Sequence, residues 1–377
     1  MNKRKIAICF GGYCPLHQGH MDVIMKAKKE NDVCFVVVCG YDNEPRGWEI
    51  NLNLEERTEI IKTFFNDDEQ IIVLSVNDTE LGLDESMSDN NWTIWQNKIK
   101  QLVFSGKHWR GHYIKYDVFE EDECDFTWYV AEPFYKTCIE KNNVFNANVV
   151  LIDRVNPVSG TLVRANPVKH WGKITELFKP YLCHNVLVVG TASEGKSTLV
   201  KDISRYFDIP YCWEYGRTYM EDNGLTDVDL KFDDFKAFLY GQTKLGDEMR
   251  TLSNNGLFIS DTDNCVTLMY ALAYAEDPNI EINQHDYDKL HAIAKDIQKK
   301  SKFKWNKIFI LPPNKNFVND GTRYMGQSSI DERMKNFEKL QKLLNEFYPE
   351  VSKTYLNGSF LENFYEVKNY INSVIEG

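Results

Sequence analysis

A glycine-rich segment in the second half of the chain has the residue types and spacing of a phosphate-binding loop. Residues 190–197 read GTASEGKS and fit the pattern G-x-x-x-x-G-K-[ST]. The glycines let the backbone curl so that its N–H groups surround a β-phosphate. Lys196 would reach the β- and γ-phosphates, and Ser197 would ligate Mg²⁺. The alternative is an ordinary strand–turn–helix. The pattern predicts ATP contacts from Gly190, Glu194, Gly195, Lys196, Ser197 and Thr198.

Carboxylates that could work with this loop follow an apolar stretch at residues 257–260. Asp261 and Asp263 stand at its end, where open α/β sheets place their active sites. One carboxylate would hold the metal, as we expect of Asp261, and the other would orient or deprotonate a substrate hydroxyl. Arg323, in the later segment Asp320-Gly-Thr-Arg, would neutralise charge on a transferred phosphoryl group. Solvated turns are the alternative interpretation of both segments.

A second candidate site lies near the N-terminus, where residues 11–20 read GGYCPLHQGH. His17 and His20, set among glycines, would donate hydrogen bonds to one phosphate. A helix beginning near Gly19 would add its positive end. Zinc is the competing interpretation, but two histidines without a further Cys/His cluster supply too few ligands. A pair of core histidines is the other alternative, and the surrounding glycines and proline make a buried helix there improbable.

The elements that position these residues alternate between strand and helix. Residues 5–10 and 32–40 have the apolar, β-branched composition of buried parallel strands, and a helical pattern at 20–30 joins them. Further elements continue to about residue 175, and the pattern restarts with a strand at 185–189. We therefore expect an α/β fold with two parallel-sheet domains, residues 1–178 and 184–377.

Composition narrows the classes of function. The chain has 377 residues, a natural length for two domains, and a formal net charge of -12. This acidic balance, without a basic stripe, argues against nucleic-acid binding. Long apolar runs are absent from the sequence, so we expect no membrane insertion. The nine cysteines form no C-x-x-C pair, which is typical of reduced, cytoplasmic proteins.

The N-terminal decapeptide resembles the G-x-F-x-P-x-H-x-G-H signature of the nucleotidyltransferase superfamily, with Tyr13 in the phenylalanine position. Residues 158–164, VSGTLVR, resemble the superfamily's downstream I-S-x-T-x-x-R motif, with valine replacing isoleucine. This resemblance implies a Rossmann-like domain that transfers a nucleotidyl group from a nucleoside triphosphate and releases pyrophosphate. The implied ATP-binding residues are Gly11, Gly12, Tyr13, Ser159 and Thr161, with His17, His20 and Arg164 as the catalytic ones.

The fusion of such a domain to a P-loop NTPase-type kinase domain resembles the NadR-type family. That family joins nicotinamide-nucleotide adenylyltransferase to ribosylnicotinamide kinase. Supporting segments are residues 164–167 with Trp171, residues 213–217 (WEYGR), 261–263 and 320–323. The resemblance implies that the chain phosphorylates nicotinamide riboside to NMN and adenylylates NMN to NAD, with ATP as co-substrate and Mg²⁺ as cofactor. It also implies substrate contacts from Glu214, Tyr215, Arg217 and Asp320.

Some features depart from the family or leave alternatives open. Many members begin with a helix-turn-helix domain, for which we expect no room here, and the family often has tryptophan where Phe317 stands. Residues 107–125 have no counterpart that we can assign. Trp92 and Trp95 would stack on the nicotinamide ring or pack in the core, with equal weight. Two alternative functions stay open, a fused nucleotidyltransferase-kinase for another small substrate and a nucleotide-sensing regulator. Assembly into a homo-oligomer also stays open.

Overall fold

A computed structural model describes residues 3–83, 88–105, 108–110, 113–115, 120–153, 158–278, 280–314 and 328–377. The chain divides into two compact units, Met1–Leu182 and Cys183–Gly377. Each unit is an α/β layer structure built on a parallel five-stranded sheet. This architecture confirms the predicted fold class. Within the described part of the chain, no helix combines the length and apolar character that crossing a membrane requires.

The first unit contains a parallel sheet in the strand order β3-β2-β1-β6-β7 and a separate antiparallel pair, β4-β5. Its strands are β1 (Arg4–Gly11), β2 (Val33–Gly40), β3 (Ile71–Asn77), β4 (His108–Arg110), β5 (Tyr113–Lys115), β6 (Cys124–Val130) and β7 (Asn148–Leu151). Its α-helices are α1 (Gln18–Glu30), α2 (Pro45–Glu49), α3 (Leu54–Phe64), α4 (Asp89–Val103), α5 (Pro133–Lys141), α6 (Gly160–Ala165) and α7 (Lys179–Leu182).

The strand order of this sheet reverses at β1, which pairs in parallel with both β2 and β6. A reversal of this kind opens a crevice at the carboxyl ends of the strands, where ligands bind in open α/β sheets. Every residue of β2 is buried, as its run of valines and cysteines predicts for a central parallel strand. The short loop that carries the two histidines therefore leaves β1 directly at the crevice.

The second unit has the strand order β12-β11-β8-β10-β9, with every pairing parallel. Its strands are β8 (His184–Gly190), β9 (Tyr211–Cys212), β10 (Leu257–Asp261), β11 (Lys307–Leu311) and β12 (Lys353–Tyr355). Its α-helices are α8 (Lys196–Phe207), α9 (Tyr215–Asn223), α10 (Phe232–Thr251), α11 (Asn264–Ala275), α12 (Gln284–Lys300), α13 (Ile330–Phe347) and α14 (Phe360–Glu376).

In the second unit, the strands before the two predicted motifs lie side by side. β8 leads into the glycine-rich loop, and β10 leads into the predicted aspartates. Both strands are almost wholly buried, and α13 turns its apolar side to the core. All nine cysteines are free thiols and eight of them are buried.

Candidate active sites

The two histidines of the N-terminal loop line a cavity of about 230 Å³ at the carboxyl ends of β1 and β6. His17 is fully buried at the start of α1, and its ring stacks on that of His20 at a centroid distance of 3.8 Å. The Tyr13 ring meets His20 edge-on at 4.9 Å. The loop thus brings both imidazoles and the α1 N-terminus to one cavity, as the sequence predicts.

Arg164 reaches the same cavity from α6, although 144 or more residues separate it from the histidines in the chain. Its Nη1 donates to the Cys14 carbonyl at 2.6 Å, and its Nε pairs with Glu49. Ser159 caps α6 by accepting a hydrogen bond from the Leu162 amide at 3.2 Å. Ser159 and Thr161 line the cavity, together with Gly11, Gly12 and Tyr13. All eight residues predicted to bind ATP or act in catalysis at this site are therefore brought together.

Arg46, which sequence reasoning missed, is a second arginine of this cavity. Its Nε pairs with the buried Glu44, and Glu44 pairs in turn with the fully buried Arg57. A Cβ at Gly12 would lie only 2.6 Å from Arg46 Nη1, so the guanidinium fills the space that this glycine leaves. The available signal was a basic residue six positions after the end of β2, which is the neighbour of β1.

The two tryptophans predicted to stack on the nicotinamide ring are absent from the described lining of this cavity. Trp92 and Trp95 are each only 2% exposed and pack edge-on against Phe10, which favours the core interpretation of both. Tyr135, on α5, lines the cavity instead. Its neighbour Phe134 is 62% exposed. Both follow the carboxyl end of β6, and that position was the signal that could have identified them.

Asp78 is a buried carboxylate directly after β3, close to the Glu44–Arg46 pair. Burial raises its pKa to about 7, against the lowering influence of Arg46. Burial also raises the pKa of Cys14 to about 11, so this thiol of the histidine loop stays protonated at neutral pH. The loop therefore offers no thiolate nucleophile at neutral pH.

The phosphate loop of the second unit joins β8 to α8. Ser193 and Gly195 have φ values of 66° and 86°, and these bends curl the backbone. The Lys196 ammonium is buried and donates to the Thr191 carbonyl at 2.8 Å. Ser197 and Thr198 lie exposed at the start of α8. The loop thus has the bend and the helix N-terminus that a bound phosphate requires.

Glu194 belongs to this loop, but its side chain does not face a phosphate. Its carboxylate is 1% exposed and forms an ion pair with Arg333 Nη1 at 2.8 Å. It also accepts a hydrogen bond from the Asn314 amide at 3.1 Å. The Glu194 side chain therefore faces the interior, which leaves the backbone amide of this residue to meet a phosphate. The predicted ATP contact of Glu194 stays a prediction.

The two predicted aspartates after β10 have different surroundings. Asp261 is buried beside Lys196, Glu214 and the Ser197 hydroxyl, and burial raises its pKa while Lys196 lowers it. Asp263 instead caps α11, where it accepts hydrogen bonds from the Cys265 amide at 3.0 Å and the Tyr348 hydroxyl at 2.7 Å. Both hydrogen bonds give Asp263 a structural role as a helix cap, and its predicted catalytic role stays a prediction.

Glu214 supplies the second carboxylate near the phosphate loop. It lines a cavity of about 50 Å³ with Arg217 and Gln242, and its Oε2 lies 3.8 Å from Arg217 Nε. Gln242 accepts a hydrogen bond from the Tyr215 amide at 2.8 Å and donates one to the Trp213 carbonyl at 3.2 Å. It thereby fixes the backbone on both sides of Glu214. The cavity has the groups to bind a small hydroxyl-bearing acceptor.

Tyr215, predicted to contact substrate, packs its ring on α10. A Cβ at Gly241 would lie 2.1 Å from the Tyr215 ring, so this glycine makes room for the tyrosine. Tyr215 is absent from the described lining of the acceptor cavity, which leaves Glu214 and Arg217 as the WEYGR side chains that face it. Asp320 and Arg323, like Phe317, lie outside the described residues.

The oxygens beside the phosphate loop suit Mg²⁺. Asp261 Oδ1 is buried without a hydrogen-bond partner among the described residues, and the Ser197 hydroxyl lies against the same carboxylate. Magnesium sites of this kind use one or two protein oxygens and complete the shell with phosphate and water. The described residues hold no cluster of three or more His, Cys, Asp or Glu side chains that would suit a metal without phosphate.

Comparisons with known proteins agree with this geometry. Residues 8–166 match the family model for cytidylyltransferase-like domains, and residues 185–357 match the model for AAA domains. The chain is 25% identical over 358 residues to the trifunctional NAD biosynthesis/regulator protein NadR of Escherichia coli K12, a match that spans 92% of this chain and 77% of that protein. The NadR of Salmonella typhimurium LT2 is 25% identical over 342 residues, spanning 88% and 74%.

Two solved structures of NadR extend the likeness to three dimensions. NadR in complex with NR has a TM-score of 0.81 and 28% identity, covering 99% of this chain and 97% of that one. The chain is similar to NadR over almost its whole length, in sequence and in fold. NadR in complex with NAD and AMP-PNP has a TM-score of 0.80 and 27% identity over the same shares. Both phosphate-handling sites of this chain therefore lie in domains that are similar to those of NadR.

Proposed function

We propose that the chain makes NAD from nicotinamide riboside in two ATP-dependent steps. The second unit phosphorylates the riboside to NMN, and the first unit transfers an adenylyl group from a second ATP to NMN. The observation that carries this proposal is the presence of two phosphate-handling sites in one chain, the histidine–arginine cavity and the phosphate loop beside Asp261. The similar NadR structures, with NR in one and with NAD and AMP-PNP in the other, support the choice of substrates.

In the kinase step, the acceptor hydroxyl attacks the γ-phosphorus of ATP and the bond to the β-phosphate oxygen breaks. Glu214, oriented by Gln242, accepts the proton of the attacking hydroxyl in the acceptor cavity. Lys196 and the loop amides stabilise the charge of the transferred and leaving phosphates. Asp261 and Ser197 would hold Mg²⁺, which supplies further neutralisation of phosphate charge when it is bound.

In the adenylyl step, a phosphate oxygen of NMN attacks the α-phosphorus of ATP and pyrophosphate leaves. The nucleophile is already an anion, so the site needs positioning and charge neutralisation more than a strong base. His17, His20, Arg46 and Arg164 converge on one cavity and provide this neutralisation. Tyr135, at the rim of the same cavity, offers an aromatic face to the nicotinamide ring.

We place this reaction in the cytoplasm, on small-molecule partners alone. Nine free thiols suit a reducing compartment. The net charge of -12 is unfavourable for a nucleic-acid partner. We also propose that the domains predicted at residues 1–178 and 184–377 each fold and act independently.

The test is to incubate the protein with nicotinamide riboside and Mg-ATP and to follow NMN and NAD by chromatography. NMN should form first and NAD second, and the fragment 184–377 should make NMN but no NAD. Conversion of another nucleoside at a higher kcat/KM would replace nicotinamide riboside as the substrate. Tight binding of NAD and ATP without any turnover would instead identify a nucleotide-sensing regulator and refute the proposal.

A further inference from the structure

A buried ion pair lies directly behind the phosphate loop. Arg333, on α13, is 3% exposed and Glu194 is 1% exposed. One nitrogen of the guanidinium, Nη1, donates both to Glu194 Oε1 at 2.8 Å and to the Ala192 carbonyl at 3.3 Å. The second oxygen of the carboxylate accepts from the Asn314 amide at 3.1 Å. Arg333 thus binds the loop at Ala192 and at Glu194, one on each side of Ser193.

Ser193 is the residue of the loop that most needs such a restraint. Its φ of 66° is left-handed, which costs a residue with a side chain conformational free energy. Strained residues persist where their surroundings determine the backbone on both sides. Relaxing Ser193 to an ordinary φ would redirect the Ala192 carbonyl and the Glu194 side chain away from Arg333. The ion pair therefore holds the backbone in the bent shape.

Building on the kinase activity proposed above, we propose that Glu194 and Arg333 are positioning residues for that reaction. They hold the phosphate loop in its phosphate-binding shape before ATP arrives. Net stability alone explains this pair poorly, since well-packed apolar residues of similar volume often replace a buried ion pair without loss. The hydrogen bond to the Ala192 carbonyl is what ties the pair to the shape of the loop.

The variant that separates positioning from stability is the double substitution Glu194→Met and Arg333→Met. Both charges go together, so the protein should fold and its adenylyltransferase activity should stay unchanged. The unrestrained loop should populate the binding shape only in part, which raises the KM for ATP in the kinase reaction about ten- to hundredfold. The kcat of the kinase should stay within about threefold, because bound ATP orders the loop again. The KM for nicotinamide riboside should not change.

Two further variants calibrate this result. Lys339→Met removes the 2.6 Å ion pair between Lys339, on α13, and Glu276, directly after α11, and should leave every kinetic constant unchanged. Arg333→Lys keeps the charge but loses the forked guanidinium, so its KM for ATP should lie between those of the native protein and the double variant. A folded double variant whose KM for ATP stays within about twofold of native would overturn the proposal.

Hydrogen exchange of the loop amides at residues 191–195, measured without nucleotide, provides a readout that does not depend on the substrate. Exchange should be faster in the double variant than in the native protein and unchanged in Lys339→Met. If the native protein fails to phosphorylate nicotinamide riboside, the proposed function fails, and the exchange rates still decide whether the pair orders the loop. Equal exchange in the native protein and the double variant would refute the ordering role.

Discussion

Replacing Arg46 with methionine tests whether the adenylyl site works by charge neutralisation. Methionine preserves much of the side-chain length and removes the positive charge at the cavity. In the native protein, Glu44 pairs with this guanidinium and Gly12 leaves the space that it occupies. Glu44 keeps its pairing with the buried Arg57, so the fold should survive with a loss of about 1–2 kcal/mol in the free energy of unfolding. Catalysis should suffer much more than stability.

The size of the catalytic loss follows from the position of the guanidinium at the cavity. Two unit charges about 4 Å apart interact by about 4 kcal/mol at an effective dielectric constant of about 20. Loss of one preorganised donor at a developing anion typically costs about 3–4 kcal/mol. Both routes predict that Arg46→Met lowers kcat/KM for NAD formation from NMN by about a hundredfold to a thousandfold.

The assay measures NAD and pyrophosphate formed from NMN and ATP, with riboside phosphorylation by the same preparation as the control for folding. Arg46→Lys should recover part of the loss, because it restores the positive charge. It should not recover all of it, because an ammonium cannot pair with Glu44 and fill the space beside Gly12 at once, as the guanidinium does. Gly12→Ala should act in the same direction, since its new methyl would lie 2.6 Å from Arg46 Nη1. A folded Arg46→Met with kcat/KM within about threefold of native would refute this role.

Three further variants probe the other groups. Lys196→Ala should abolish riboside phosphorylation and spare NMN adenylylation, measured by chromatography, because the lysine serves only the phosphate loop. His20→Ala should lower the kcat of NAD formation by about a hundredfold to a thousandfold and leave the kinase intact. Asp78→Asn should stabilise the protein above pH 7, measured by denaturant unfolding, because the raised pKa of about 7 makes the charged carboxylate costly in the folded state.

The pH dependence of the Asp78 effect has a definite sign. The folded state binds the proton more tightly than the unfolded state, whose aspartate has a pKa of about 3.9. The native protein should therefore lose stability relative to Asp78→Asn as pH rises from about 4 to 7, by at most about 1.4 kcal/mol per pH unit. A stability difference that is constant from pH 4 to 8 would contradict the raised pKa.

Equal loss of both activities in folded Lys196→Ala, or unaltered kinetics in His20→Ala, would contradict the roles assigned to Lys196 and His20.

The sequence predicted best those features that depend on neighbouring residues. The glycine-rich loop lies between β8 and α8, and the decapeptide lies between β1 and α1, as the change from strand to helix periodicity indicates. The fold class and the NadR-type assignment are confirmed, because both rest on such local motifs and their order. The catalytic and binding roles of the individual residues stay predictions.

Asp261 and Asp263 show why side-chain direction was harder to predict. Extended backbone would point residues two apart to the same face, which suggested a pair of catalytic carboxylates. Thr262 between them has a φ of 83°, unusual for a β-branched residue, and the chain turns there into α11. The second aspartate consequently becomes a helix cap, and nothing in the letters D-T-D distinguishes the two outcomes.

Gln242 and Arg333 could not be predicted for a different reason, which is their distance along the chain from the residues that they position. Gln242 acts on Glu214 from 28 residues away, and Arg333 acts on Glu194 from 139 residues away. A motif specifies the loop that must be held but not the helix that holds it. Such partners become visible only when the sheet order places one element beside another.

The glycines of both sites indicate that such partners exist without identifying them. In the sequence these glycines suggested backbone freedom, but two of them also leave space that a distant side chain fills. Arg46 lies over Gly12, and the Phe360 ring lies over Gly195. An alanine at Gly195 would place its Cβ 2.3 Å from Phe360 as well as straining a φ of 86°. A glycine in a functional loop is therefore evidence for two constraints, one on the backbone and one on the neighbour, and only the first can be inferred from the sequence.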